Sequence, residues 1–197
     1  VRYGIPSYRL PRDIIEKEVE VIEKLGAEIR YNTRIGPELT IDQLRQDYDA
    51  VFVGVGAQLA STMRVEGEET EGVLSGIGFL GEVSRDETTP IGKRVMVVGG
   101  GNTAIDAART AKRLGSEDVR ILYRRTRKEM PAWEAEIHEA EVEGIQLDIL
   151  AAPTKVSPRD DGALDVTCIR MELGEPDASG RRRPVPQEGS EFVVVMD

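Results

Sequence analysis

The stretch VMVVGGGNTAIDAA, residues 95–108, decides the reading of this chain. An apolar run enters three consecutive glycines, and a helix-forming sequence follows. Gly99, Gly101 and Ala104 have the G-x-G-x-x-A spacing of a dinucleotide-binding turn. Each position has a steric reason. Gly99 allows a tight strand-to-helix turn, Gly101 lets backbone approach a pyrophosphate, and Ala104 lets the helix pack close to the strand. The helix opening near Asn102 aims unsatisfied N–H groups and its positive dipole end at that anion. Asn102 and Thr103 are expected to add side-chain hydrogen bonds or to cap the helix. The competing reading is a glycine turn that only permits tight packing. Here the turn leaves an apolar strand and opens an amphipathic helix, which is the context a phosphate cradle needs. Gly54 and Gly56 lack a following amphipathic helix and form no second complete fingerprint.

Working outward, KRVMVVGG (93–100) is a strand and NTAIDAARTAKRLG (102–115) a helix closed by Gly115. DVRILYRR (118–125) is a second strand, MPAWEAEIHEAEVEG (130–144) a helix closed by Gly144, and IQLDIL (145–150) a third strand. That β-α-β-α-β order predicts a parallel sheet with helical crossovers. Beyond Pro153 the pattern alternates, and residues 154–173 predict a hairpin turning at 160–162. Residues 174–189 read as a polar, Pro/Gly-rich loop, and SEFVVVMD (190–197) as a last strand. The expected fold class is α/β: a Rossmann-like parallel sheet with an antiparallel meander, as in flavoproteins that bind two dinucleotides. Towards the start, a helix runs from a cap at Asp13 to about Leu25 and stops at Gly26. Residues 27–33 predict a short strand, 40–48 a helical turn or two, and 49–57 a buried strand. Residues 57–92 read as a connecting segment with a short helix near 78–83.

An NAD site usually carries an acid at the end of the second strand, to hold the ribose hydroxyls. Here that strand ends in Tyr123, Arg124 and Arg125. Guanidinium groups match a phosphate bidentately, so the pair predicts the 2′-phosphate of NADP(H). Arg127 and Lys128 are expected to strengthen the local field. A solvated basic turn is the alternative. A methyltransferase-like site would need an acid where Arg124 stands.

Composition narrows the class. The 197 residues are 40% hydrophobic and 31% charged, with a formal net charge of −10. That balance disfavours a nucleic-acid reader but leaves room for a local anion site. No apolar run approaches the roughly 20 residues of a membrane helix. One cysteine, Cys168, and one histidine, His138, argue against a zinc or iron–sulfur site within these residues. A lone cysteine fits a reducing, cytoplasmic compartment. His138 is expected on a solvated or half-buried helix face, and Cys168 in strand packing. Trp133 and Tyr123 are candidates to contact an adenine, with packing the simpler expectation. Asp106 is expected to serve the helix end, and the acidic run 134–143 to be a solvent-facing surface. SGRRRP (179–184) is expected to be an exposed basic loop.

At these residues a resemblance emerges. GGGNTAIDAARTAKRLG (99–115), YRRTRKEMPA (123–132) and MELGEPDASGRRRPVP (171–186) resemble the small (beta) subunit of glutamate synthase and its flavoprotein relatives. GIPSYRLPRDIIEKEVEVIEKLGAEI (4–29) and YDAVFVGVGA (48–57) resemble the same family, and the likeness covers essentially the whole chain. It implies hydride transfer between NADPH and FAD, with iron–sulfur clusters bound by a cysteine-rich segment. Residues 1–56 would be the later part of an FAD-binding half, 57–92 a connector, and 93–197 an inserted NADP(H)-binding domain. The cysteine-rich segment and an FAD fingerprint are not among these residues, so the chain reads as part of a larger enzyme. By position, Gly100, Gly101, Asn102 and Thr103 should line the pyrophosphate and Arg124 and Arg125 the 2′-phosphate. Gly56 and Ala57 match a turn near the flavin, although FAD is not expected to stay bound here. Expected partners are the remainder of the flavoprotein and a larger catalytic or electron-accepting subunit. No catalytic acid, base or nucleophile is expected, because the cofactors carry the chemistry. A non-catalytic NADP-binding or interaction module is the alternative.

Overall fold

The computed structural model describes residues 1–57, 59–85, 89–176, 180 and 182–197. The chain divides into two compact units, residues 7–59 and residues 1–6 with 60–197.

In residues 7–59, α1 spans Arg12–Lys24 and α2 spans Ile41–Asp47. The cap of α1 is Pro11, which supplies no side-chain bond. Asp13 lies instead inside the first turn, where it pairs with Lys17 at 3.0 Å. Gly26, at φ +98°, ends the helix as expected. Thr40 and Gln43 form a reciprocal capping box on α2. The two predicted strands are not formed, for residues 27–33 and 49–57 carry no ladder. Apolar sequence alone does not make a strand; it needs a neighbour at ladder distance. Phe52 is 96% exposed, so the expectation of a buried strand there is overturned.

In the other unit, α3 spans Gly76–Ser84, begun by the Ser75 hydroxyl accepting from the Gly78 N–H at 3.1 Å. Then follow β1 (Arg94–Val98), α4 (Asn102–Arg113), β2 (Asp118–Tyr123), α5 (Glu134–Val142) and β3 (Gln146–Ile149). β1, β2 and β3 form a parallel sheet in that order, with Val97 opposite Ile121 and Ile121 opposite Leu147. The meander is β4 (Ala151–Pro158), β5 (Leu164–Pro176), β6 (Arg182–Pro186) and β7 (Phe192–Met196). β5 is long enough to pair with β4 and β7 through its first half and with β6 through its second. The predicted hairpin turn is present, with Gly162 at φ +84°. The predicted loop 174–189 differs: it holds the end of β5 and all of β6, while residues 177–179 and 181, two of them in SGRRRP, lie outside the described residues.

β2 joins the two layers because strand side chains alternate. Val119, Ile121 and Tyr123 face the helices with Ile105, Ala108, Ile137 and Ala140. Leu122 faces the other way, with Ala151, Val166, Cys168 and Met196. Cys168 is therefore packing, as expected, and burial pushes its thiol up to about 11. α3 adds Phe79 and Leu80 to the helical side.

α5 buries Ile137 and Ala140 in the core and is also tied to α4 by charge. Buried Arg109 of α4 meets Glu136 at 2.7 Å and Glu143 at 2.8 Å, and Arg113 also reaches Glu143. The acidic run is therefore not simply solvent-facing, a correction that follows from where the α4 arginines point.

Ile121 is fully buried at the sheet centre. Ile121→Ala should cost about 2–5 kcal/mol by urea denaturation. Partial burial raises the Glu143 carboxyl, but hydrogen bonds and charge from Arg113 and Arg109 outweigh it and hold it below 4.5. Its contribution is complete above the ordinary glutamate value and is lost as pH falls through the lower folded value. Glu143→Gln should therefore lower stability at neutral pH and flatten the loss between about pH 5 and pH 3. Denaturation midpoints across pH check this.

Candidate functional site

The glycine turn lies between β1 and α4 at the carboxyl edge of the parallel sheet, where open α/β sheets bind ligands. Gly99 has φ +140°, and a Cβ there would stand 3.3 Å from Ala104 Cβ. Only a residue without a side chain makes this turn with the helix so near. Gly100 is buried, and an added Cβ would stand 2.6 Å from the Tyr123 ring. That ring cannot easily yield, since its hydroxyl donates to the Glu129 carbonyl at 2.8 Å. At Gly101 an added Cβ meets nothing nearer than Pro131 Cγ, 3.9 Å away. Two of the glycines thus serve packing, and the third leaves open space.

Gly101 caps α4 and offers no side-chain bond. Among the described residues, the N–H groups of Asn102 and Thr103 have no acceptor. They form the anion-attracting end of the helix. The Asn102 side chain does not cap the helix as expected. Its Oδ1 accepts from the Trp133 N–H at 3.2 Å. Thr103 is exposed, with its methyl group towards Gly76. Asp106 lies beyond the first turn and is buried, so it does not serve the helix end.

A strap, residues 126–133, leaves the end of β2 and returns over the glycine turn. It opens with a Thr126–Glu129 capping box around a short 3-10 turn, Arg127–Glu129. The Thr126 hydroxyl, more than any other contact, holds the Glu129 carboxyl below its ordinary value. The strap closes on the cradle where Ala132 N–H donates to the Gly100 carbonyl at 3.0 Å. Sequence reasoning missed this strap; Pro131 before α5 was the one signal for a non-helical start.

The basic cluster separates by direction. Arg124 is exposed and forms no hydrogen bond or ion pair among the described residues. Arg125 is 6% exposed, and its Nε donates to the Arg182 carbonyl of β6 at 2.7 Å. Arg127 is gripped by Glu141 at 2.9 Å and by Glu134, which raises its pKa and commits its charge to α5. Lys128 is exposed. His138 is also exposed, as expected. Trp133 is 72% exposed, which overturns the packing expectation for it, whereas Tyr123 is packed. Concavities lie at the turn around Arg159 and Asp161 and, within residues 7–59, around Ile35, Leu39 and Tyr48.

Residues 6–179 match the family described as pyridine nucleotide-disulphide oxidoreductase. The chain belongs to that family. It is 48% identical to the NADP(+)-dependent formate dehydrogenase subunit beta of Moorella thermoacetica, over 98% of this chain and 28% of that protein. It is 47% identical to the NADPH-Fe(3+) oxidoreductase subunit beta of Geobacter sulfurreducens, over 100% of this chain and 30% of that protein. The glutamate synthase [NADPH] small chain of Escherichia coli K12 is 36% identical, over 99% and 44%. The chain thus spans less than half the length of each. Its fold matches that of a 2-naphthoyl-CoA reductase with a TM-score of 0.62 at 17% identity, over 94% of this chain and 25% of the other. These findings agree with the α/β class and the family likeness read from sequence. Among the described residues no helix is long and apolar enough to cross a membrane.

The glycines separate fold from ligand. Gly101→Ala should fold with stability within about 1 kcal/mol of the parent yet bind NADPH about tenfold or more weakly. Gly100→Ala should lower stability by about 1–3 kcal/mol through its clash with Tyr123. Thermal unfolding and calorimetric titration of both variants check the contrast.

Proposed function

We propose that residues 93–197 form the NADP(H)-binding domain of a glutamate synthase small subunit-like flavoprotein. In this reading residues 1–56 belong to the later part of its FAD-binding half. The observation that carries it is the pairing of an open phosphate cradle at Gly101 with an uncommitted guanidinium, Arg124, one residue beyond β2. The NADP named in all three relatives supports it.

The backbone N–H groups of Asn102 and Thr103 receive the pyrophosphate, with Gly99, Gly100 and Ala104 shaping the turn. Arg124 is the direct contact to the 2′-phosphate. Arg125 adds positive charge at the same strand end while its Nε holds the Arg182 carbonyl. Bound NADPH supplies a hydride whose acceptor is an FAD. The described residues 7–59 carry no strand and no phosphate cradle, so they do not by themselves fit FAD. The flavin is therefore assigned to the remainder of the flavoprotein, and the final acceptor to a larger, iron–sulfur-linked or catalytic subunit. The protein's part is to orient the dinucleotide, a contribution of position rather than proton transfer. Residues 1–197 alone should oxidise NADPH slowly or not at all. Buried Cys168 and the membership of such complexes suit a cytoplasmic enzyme.

Titration of the chain with NADPH and NADH tests this reading. The parent should prefer NADPH. Arg124→Ala should lose about ten- to a hundredfold in NADPH affinity, the worth of a charge-assisted phosphate contact, and leave NADH nearly unchanged. Equal binding of the two nucleotides by the parent would sink the 2′-phosphate assignment.

A further inference from the structure

Trp133 breaks two local rules at once. It occupies the N-cap of α5, where Ser, Thr, Asp and Asn are favoured because a side-chain oxygen accepts from the first turn. Its indole has no such oxygen, and the structure records no side-chain cap there. It also leaves 72% of its surface in water, although aromatic side chains usually bury most of theirs. A residue that serves neither helix nor core, and that stands beside the glycine turn, is a candidate for a ligand contact.

Its position says which ligand. The Trp133 N–H is tied to Asn102 in the first turn of α4, and the neighbouring Ala132 N–H to the Gly100 carbonyl. Pro131 is the nearest group across the open space at Gly101. Trp133 therefore stands at the rim of the cradle, on a strap anchored at both ends, with its indole exposed. That strap leaves β2, the strand after which Arg124 follows, and β2 separates β1 from β3. The rim on this side faces the adenosine half of a dinucleotide, whose 2′-phosphate lies at the end of the second strand.

We propose that Trp133 is a cofactor-binding residue whose indole stacks on the adenine of the bound dinucleotide. This rests on the reading that the glycine turn holds NADP(H). Stacking uses a π-face that NADPH and NADH share, so Trp133 sets affinity while Arg124 sets preference. Both its backbone anchors lie outside the side chain, so replacing the indole leaves the strap in place.

Trp133 is the chain's one tryptophan, so its emission reports on this position alone. Adenosine 2′,5′-bisphosphate, which lacks the nicotinamide, should quench that emission in step with the heat of binding. Trp133→Ala, with unchanged circular dichroism, should weaken NADPH and NADH alike, by about tenfold. Trp133→Phe should restore most of the affinity, and the NADPH-to-NADH ratio should stay constant, unlike in Arg124→Ala. Calorimetric binding with unaltered emission, or parental affinity in Trp133→Ala, overturns the stacking role and leaves the cradle intact. No heat with any of the three nucleotides overturns both.

Discussion

Tyr123 and Gly100 approach so closely that no side chain fits between them. This contact fixes the height of the glycine turn over the end of β2. Its hydroxyl bond to Glu129 then sets the strap, and the strap returns to Gly100 through Ala132. Strand end, strap and turn form a closed circuit of backbone and ring contacts. The open ground at Gly101 exists because its neighbours are held in this way. In a close-packed interior, a shift at one of these members is passed to the others.

The circuit explains which parts of the fold were legible. β1, α4, β2, α5 and β3 follow from local periodicity and glycine stops, and each found its partner in sequence order. Two failures share one cause. Residues 27–33 and 49–57 have strand-like composition, but a strand exists only with a ladder partner, and composition does not report one. The reverse error occurred at β6, where Pro184 and Pro186 suggested a loop. Among the described residues β6 pairs with β5 alone, and an edge strand tolerates residues that lack an N–H. At the site, the tight turn at Gly99 and its closeness to Ala104 were legible from spacing alone, whereas Gly100 is occupied with Tyr123, a contact that spans 23 positions and has no local signature.

Side-chain direction was the least legible feature. In sequence, residues 124–128 form one basic cluster. In the structure Arg124 faces solvent, Arg125 turns inward to Arg182, and Arg127 turns to α5. Arg125 also accepts the Leu150 N–H through its carbonyl, while the Leu150 carbonyl accepts from Met171. One residue thereby ties the end of β2 to both β5 and β6. The adjacent arginines divide the work: one holds the two layers together, the other remains available to an anion.

The same sorting bears on how a chain of net charge −10 would attract a polyanion, as the proposed function requires. Glu129, in the strap itself, is turned back to the Thr126 N–H and hydroxyl, and the next acidic groups, those of α5, are largely paired. Glu134 and Glu141 hold Arg127, and Glu136 and Glu143 hold Arg109 and Arg113. Such pairs have short-ranged fields, and ions screen what remains beyond about 8–10 Å. The rest of the net charge is spread over the surface and acts only weakly at that distance. What an approaching phosphate meets is then the α4 N-terminus and Arg124, both positive and neither neutralised by a neighbour. In the proposed reading the acidic helix serves the anion site indirectly: it fixes the strap through Arg127, and its pairing with three arginines offsets part of its own repulsion.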